Sequence, residues 1–190
     1  MANALEGKTI AVIATDGYEN SELFKPLEAV KEAGATVHVL SIDTGEITGA
    51  KDGEPNTIAV DKLVKDASVD DYDGLILPGG VQNPDTLRMD EDVIGFIQAY
   101  FKRGMPVGAI CHAPWLLVEA DVAKGRRMTS WPSVRTDLRN AGAEVVDEEV
   151  VTDQGLVTSR NPNDLPAFCA KIVEEFAEGE HQVHPEGATA

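Results

Sequence analysis

Cysteine is scarce in this chain, at two in 190 residues. Two thiols cannot hold a fold together, so a disulfide framework is excluded, and both are expected to be reduced in a cytosol. Positive charge is also short: 16 Lys and Arg face 33 Asp and Glu, giving a formal charge of −17. Such a surface repels phosphate backbones and anionic membranes. Nucleic-acid and membrane-surface partners are therefore not expected, and the charge reads as solubility. Long apolar runs are missing too, since nothing approaches the roughly 20 residues that span a bilayer. Met1 to Lys8 is short and mixed, without the basic cluster and apolar run of a secretory signal. A cytoplasmic location is the expectation.

What remains is ample for a core. Hydrophobic residues make up 43% of the chain, enough for one domain of this length. Strand and helix signals alternate. Lys8 to Ala14 is a short β-branched run that reads as a buried strand. Asn20 or Ser21 can cap a helix running to Ala33 and stopping at Gly34. Thr36 to Ile42 is a second strand, so the chain opens with a βαβ unit and a right-handed crossover. Thr44 to Asp61, rich in glycine, reads as a hairpin beside the main sheet.

Asp73 to Pro78 and Pro106 to Ile110 read as further buried strands, separated by a helix over Asp90 to Arg103. A helix is expected to begin at His112 or Ala113, with Pro114 in its first turn, and another over Ser133 to Ala141. Glu144 to Val151 and Leu156 to Ser159 read as strands paired about Asp153-Gln154-Gly155. A last helix carries Leu165, Phe168, Cys169, Ile172, Val173 and Phe176 on one face. The pattern predicts an α/β, flavodoxin-like, doubly wound sandwich: a mostly parallel central sheet with helices on both faces. Residues 1–178 are expected to form one domain and 179–190 a flexible tail.

In such sheets, reactive groups gather beyond the carboxyl ends of strands. Three features fall there: Glu19 and Glu22, Gly79-Gly80, and Cys111-His112. Cys111 lies in Gly108-Ala109-Ile110-Cys111-His112-Ala113-Pro114. A nucleophile on a sharp strand-to-helix turn needs small neighbours two residues away, and these are Ala109 and Ala113. A helix N-terminus against the sulfur predicts a lowered thiol pKa. Cys169, on the apolar face of the last helix, reads as core. His112 is a candidate general base or imidazolium partner, and Asp85 a candidate carboxylate to orient it. Backbone amides of Gly79, Gly80 and His112 are candidates for an oxyanion hole. Glu22 is either a solvated helix-start carboxylate or, near Cys111, a group that shares a proton with the thiol.

Together these residues resemble the PfpI-type intracellular protease and Parkinson-disease-related deglycase superfamily, and within it the bacterial general-stress branch. The likeness runs from about Thr9 to Ala177. It rests on Gly17-Tyr18-Glu19-Asn20-Ser21-Glu22-Leu23-Phe24-Lys25-Pro26, on Pro78-Gly79-Gly80, on Ile110 to Pro114, and on Thr129-Ser130-Trp131-Pro132. The resemblance implies Cys111 as nucleophile and Glu22 as its protonated partner. It implies that the elbow histidine, His112, is oriented by a carboxylate from a neighbouring subunit, at the position of Asp85, one methylene shorter than the usual Glu. It therefore implies a homodimer or larger assembly with the site at the interface.

The leading expectation is a hydrolase that removes glyoxal or methylglyoxal adducts from amines and thiols, with related glyoxalase activity, in stress protection. A cysteine peptidase and a redox sensor acting through oxidation of Cys111 are the alternatives. A glutamine amidotransferase is disfavoured, because His184-Pro185-Glu186 falls in the polar tail and the elbow has alanines where that family has glycines. Neither a cofactor nor a metal is expected: Cys111-His112 has no matching ligand pair, and the nucleotide-loop fingerprints are absent.

Overall fold

The computed structural model describes residues 3–50 and 56–181. The chain opens with β1 (Thr9–Ile13), α1 (Asn20–Glu32) and β2 (Thr36–Ser41). Next come a hairpin, β3 (Glu46–Thr48) and β4 (Thr57–Ala59), and a short β5 (Lys62–Leu63). β6 (Gly74–Leu77), α2 (Gln82–Leu87), α3 (Glu91–Lys102) and β7 (Val107–Ile110) form the middle. α4 (Pro114–Glu119), β8 (Arg127–Met128), α5 (Arg135–Asn140) and β9 (Glu144–Val145) follow. β10 (Val150–Asp153), β11 (Leu156–Ser159) and α6 (Leu165–Glu178) close the described chain.

Seven strands form the central sheet, in the order β10-β11-β7-β6-β1-β2-β5. All neighbours run parallel except β10, which pairs antiparallel with β11 at the edge. Parallel strands need both faces covered, and the alternation along β1 shows how. Ala11 and Ile13 pack with Val93, Ile97, Tyr100 and Leu117 on one face. Ile10, Val12 and Ala14 pack with Leu23, Val30, Phe168 and Phe176 on the other. β6 and β7 are buried at every residue.

From β1 the chain winds one way through β2 and β5, then returns to build β6, β7 and β11 on the other side. The reversal lies between β1 and β6. Their carboxyl ends open the crevice where such sheets bind ligands. Glu22, the Pro78-Gly79-Gly80 loop and Cys111 follow β1, β6 and β7 in turn.

Several sequence expectations shift. The helix expected at His112 or Ala113 begins at Pro114 and is six residues long, and Cys111 to Ala113 form a turn. The strand expected over Glu144–Val151 is broken. Its start, β9, pairs with β8, and only Val150 onward pairs with β11. The break holds Asp147, whose carboxylate is drawn out to Arg135 and Arg160, so this stretch bulges toward charge instead of joining the ladder. The helix expected from Ser133 begins as a 3-10 turn, Pro132–Val134. α2, β5 and β8 carry too few residues to show a period. Of the expected tail, residues 182–190, with the His184-Pro185-Glu186 run, lie outside the described residues. His181 donates its backbone N–H to the Gly104 carbonyl at 2.7 Å. No helix among the described residues is long and apolar enough to cross a membrane.

Candidate active site

Cys111 takes the turn after β7 with φ of +64°. That left-handed conformation is costly for a side-chain-bearing residue and persists only where surroundings fix it. Two backbone bonds do so. The Cys111 N–H donates to the Ser159 carbonyl at 3.0 Å, and its carbonyl accepts from Trp131 N–H at 2.9 Å. Ala109 and Ala113, the small flanks, are completely buried. Cys111 stands at the carboxyl end of the sheet and is only 6% exposed.

Glu22 reaches the same point from α1. Glutamate in a helix first turn normally faces water, yet Glu22 is fully buried. Pro26 lies four residues on, inside the helix, and so cannot supply the amide that an α-helix would direct at the Glu22 carbonyl. Oε2 of Glu22 accepts the Gly79 N–H at 3.1 Å. Oε1 is buried without a conventional hydrogen-bond partner. The carboxyl is coupled to the Cys111 thiol by a hydrogen bond.

Burial pushes the Glu22 carboxyl up from about 4.5 to about 8, opposed by its bond to Cys111 and raised further by the charge of Glu19. The Cys111 thiol is pushed up by burial first and by the Glu22 charge second, while the amides of Gly80 and His112 pull it down. The lowering expected from a helix N-terminus is thus corrected. The helix starts too late and is too short to outweigh desolvation. Two adjacent buried acids resist being charged together, so the pair titrates as one unit, and both shifts favour the protonated forms at neutral pH.

The loop after β6 supplies amides to both members. The Gly79 N–H is committed to Glu22, the His112 N–H faces the sulfur, and the Gly80 N–H serves both groups. A Cβ at position 79 would overlap the Glu22 carboxyl and approach Cys111 Cβ to 2.7 Å. Only glycine lets the loop lie this close.

His112 touches the thiol despite being its chain neighbour, with Nδ1 3.1 Å from Sγ. Its Nε2 lies 3.4 Å from Ser133 Oγ. The ring stacks on Trp131, with centroids 5.7 Å apart, and tilts against Trp115 at 5.3 Å. Burial lowers its pKa, so a neutral imidazole faces the sulfur. Asp85 is elsewhere within the chain. It is exposed in α2, and among the described residues it has no hydrogen bond to His112. It lines a cleft of about 580 Å³ with Arg88, Met89, Glu91, Ile94 and Glu119, which lacks Cys111, Glu22 and His112.

The DJ-1/PfpI family model matches residues 8–175. The chain belongs to the DJ-1/PfpI family. It is similar to general stress protein 18 of Bacillus subtilis, 44% identical over 163 residues, covering 85% of this chain and 94% of the relative. It is also similar to protein/nucleic acid deglycase 2 of Escherichia coli, 43% identical over 162 residues, covering 85% and 93%. Among solved structures, Drosophila melanogaster DJ-1beta superposes with a TM-score of 0.82 at 30% identity, covering 93% of this chain and 91% of that one.

Within this DJ-1/PfpI chain, the residue reading did not anticipate Ser133, Trp115 or Asn83 beside the site. Ser133 lies 21 residues beyond His112 and meets it only because Trp131 N–H docks on the Cys111 carbonyl. No local pattern signals that approach. Cys169 is half-buried against the α1–α6 core, and burial pushes its thiol up to about 11. A Glu175, Glu178 and His181 group lies close enough to share a cation, but Lys171 is within 3.4 Å of Glu175 and already answers that charge.

Proposed function

We propose that this protein is a cysteine-dependent hydrolase that removes glyoxal and methylglyoxal adducts from amines and thiols, with related glyoxalase activity, in stress protection. The coupled Cys111–Glu22 pair carries the reading: a buried thiol hydrogen-bonds to a buried carboxyl beside two converging amides. The names of the relatives, a general stress protein and a protein/nucleic acid deglycase, point the same way.

The chemistry follows from that pair. In its reactive form the pair has released one proton and keeps the other on Glu22, so the sulfur is a thiolate and attacks the carbinol carbon of an amine–methylglyoxal adduct. A C–S bond forms, the C–N bond breaks, and the amine leaves with the Glu22 proton. Glu22, now a carboxylate, takes the hydrogen of the attacked carbon and returns it to the neighbouring carbonyl carbon, while the hydroxyl proton of the attacked carbon passes to that neighbour's oxygen. The result is a thioester of a hydroxy acid. Water hydrolyses it, releasing the acid and restoring the thiol–carboxyl pair. Amides of Gly80 and His112 hold the developing oxyanion, and neutral His112 accepts or returns a proton at Nδ1.

The same reading keeps Asp85 as the carboxylate that would orient His112 from a neighbouring copy in a homodimer or larger assembly. Val81 and Met89, on either side of α2, are large apolar side chains at 57% and 77% exposure, and they support a covered surface beside Asp85. Its need for a reduced thiol supports a cytoplasmic location.

The test is release of free amine from a methylglyoxal-modified peptide after free aldehyde has been removed. Wild-type protein is expected to release it, and Cys111→Ala to fall to the uncatalysed rate. Equal release by both would end the adduct reading. Cleavage of unfolded protein without adduct removal would favour the peptidase alternative.

A further inference from the structure

Behind the Pro78-Gly79-Gly80 loop lies a side chain that hydrogen-bonds to neither the sulfur nor the Glu22 carboxyl. Asn83, in the first turn of α2, is completely buried. Its Oδ1 accepts the Thr15 N–H at 2.8 Å. Its Nδ2 donates to the Pro78 carbonyl at 2.9 Å and to the Gly79 carbonyl at 3.2 Å. The partners fix the orientation of this amide, since only the oxygen can accept an N–H and only the nitrogen can donate to two carbonyls.

The two carbonyls belong to successive peptide groups of the loop. A trans peptide is planar, and its C=O and N–H point in opposite directions. The Pro78 carbonyl shares a peptide with the Gly79 N–H, and the Gly79 carbonyl shares the next with the Gly80 N–H. Drawing both carbonyls to Asn83 turns both N–H groups to the far side. There the Gly79 N–H meets Glu22 Oε2 at 3.1 Å, and the Gly80 N–H faces both the Cys111 sulfur and the Glu22 carboxyl.

We infer that Asn83 is a positioning residue of the active site, aiming one loop amide at the Glu22 carboxyl and the next at the Cys111 thiol and that same carboxyl. Consecutive glycines leave these peptides free to rotate, so something must hold them. The Glu19 N–H also reaches the Gly79 carbonyl, at a longer 3.3 Å, and nothing but Asn83 grips both carbonyls among the described residues. The Thr15 bond adds a second function, since it ties α2 to the segment leaving β1 and so to the helix that carries Glu22.

The inference rests on the reading of Cys111 as nucleophile and deepens it. Ionisable groups facing the thiol are Glu22 from α1 and His112 from the elbow, with Glu19 acting on Glu22. Asn83 hydrogen-bonds to none of them, so its replacement acts through the loop amides. Each amide favours the ionised form of the group it meets. Losing their aim moves both steps of the coupled titration to higher pH.

Asn83→Leu keeps the size of the side chain and removes its polar atoms. Alkylation of Cys111 by iodoacetamide is followed across pH in the full chain by mass spectrometry, with Cys169 as internal reference. The expected profile is displaced upward by about one unit, read as roughly tenfold slower Cys111 alkylation near neutral pH, with Cys169 unchanged. An unchanged Cys111 profile overturns the inference. If the variant does not fold, the wild-type protein decides. The nitrogen-15 signals of the Asn83 side chain and of the Gly79 and Gly80 amides are expected to move with the Cys111 midpoint. Signals that stay fixed through that titration overturn it. Thiol ionisation, not turnover, is read, so a failed adduct assay and a failed Asn83 assay are separate results.

Discussion

Glu22 places a carboxyl where almost no water reaches, and the sign of its pKa shift fixes how pH acts on the fold. In the unfolded chain it ionises near 4.5, and in the folded chain near 8. Between those values the native state holds a proton that the unfolded state has released. Stability contributed by this site is therefore full below about 4.5 and is lost as pH rises toward 8, at about 1.4 kcal/mol per pH unit for a full proton. Glu22→Gln keeps the shape and cannot ionise. The difference in urea midpoint between variant and wild type is expected to grow in favour of the variant from pH 5 to pH 8. A difference that does not vary with pH would show that Glu22 is already ionised in the native state. The same buried carboxyl explains why composition could not settle its role. A glutamate near a helix start is ordinarily solvated, and only the approach of β6 and β7 dries this one.

At the scale of elements, the site is three strand ends brought level by a parallel sheet. The loop after β6 has the least freedom. Gly80 has φ of +84°, and a Cβ there would overlap the Gly17 carbonyl oxygen and come within 2.8 Å of the Glu19 nitrogen. Both are backbone atoms and cannot swing aside. Gly80→Ala is expected to cost about 1–3 kcal/mol, measured as a lower urea midpoint with an unchanged slope. It is also expected to lower Cys111 alkylation, because the displaced amide is one that faces the sulfur. A variant as stable as wild type would mean that the loop has room the geometry denies. The strands themselves were legible: the runs over Thr9–Ile13, Gly74–Leu77 and Val107–Ile110 are apolar because both faces are covered. The start of α4 and the break after β9 were not. One depends on the turn that Cys111 adopts, and the other on Asp147 finding two arginines from elsewhere in the chain.

For the whole molecule, charge is the dominant feature. A net −17 destabilises the compact state through self-repulsion. Local relief comes from the Arg135–Asp147–Arg160–Asp164 chain, with contacts of 2.8 to 2.9 Å. Exposed pairs of this kind contribute little each, and salt weakens them. Long-range repulsion between the remaining acids is screened by the same salt. The second effect involves more charges. Raising sodium chloride from about 20 mM to about 0.5 M is therefore expected to raise Tm by roughly 2–4 °C, near 1 kcal/mol. A fall in Tm would place the larger share of the electrostatic energy in the arginine–aspartate chain.

By itself, the sequence determined where the apolar runs lie, hence the parallel sheet, and which side chains stand at the strand ends. Burial within an element follows from local periodicity. It also marked Cys111 as a thiol on a tight turn, through Ala109, Ala113 and Pro114. Tertiary structure decided how those groups are paired. Gly79 and Glu22 are 57 residues apart, and Asn83 and Thr15 are 68 apart. Such partners are chosen by how helices and loops pack, not by spacing along the chain. Packing likewise set the direction of the thiol pKa, because desolvation depends on the neighbours that cover a group. It also turned His112 toward Ser133 and the sulfur and left Asp85 on the surface.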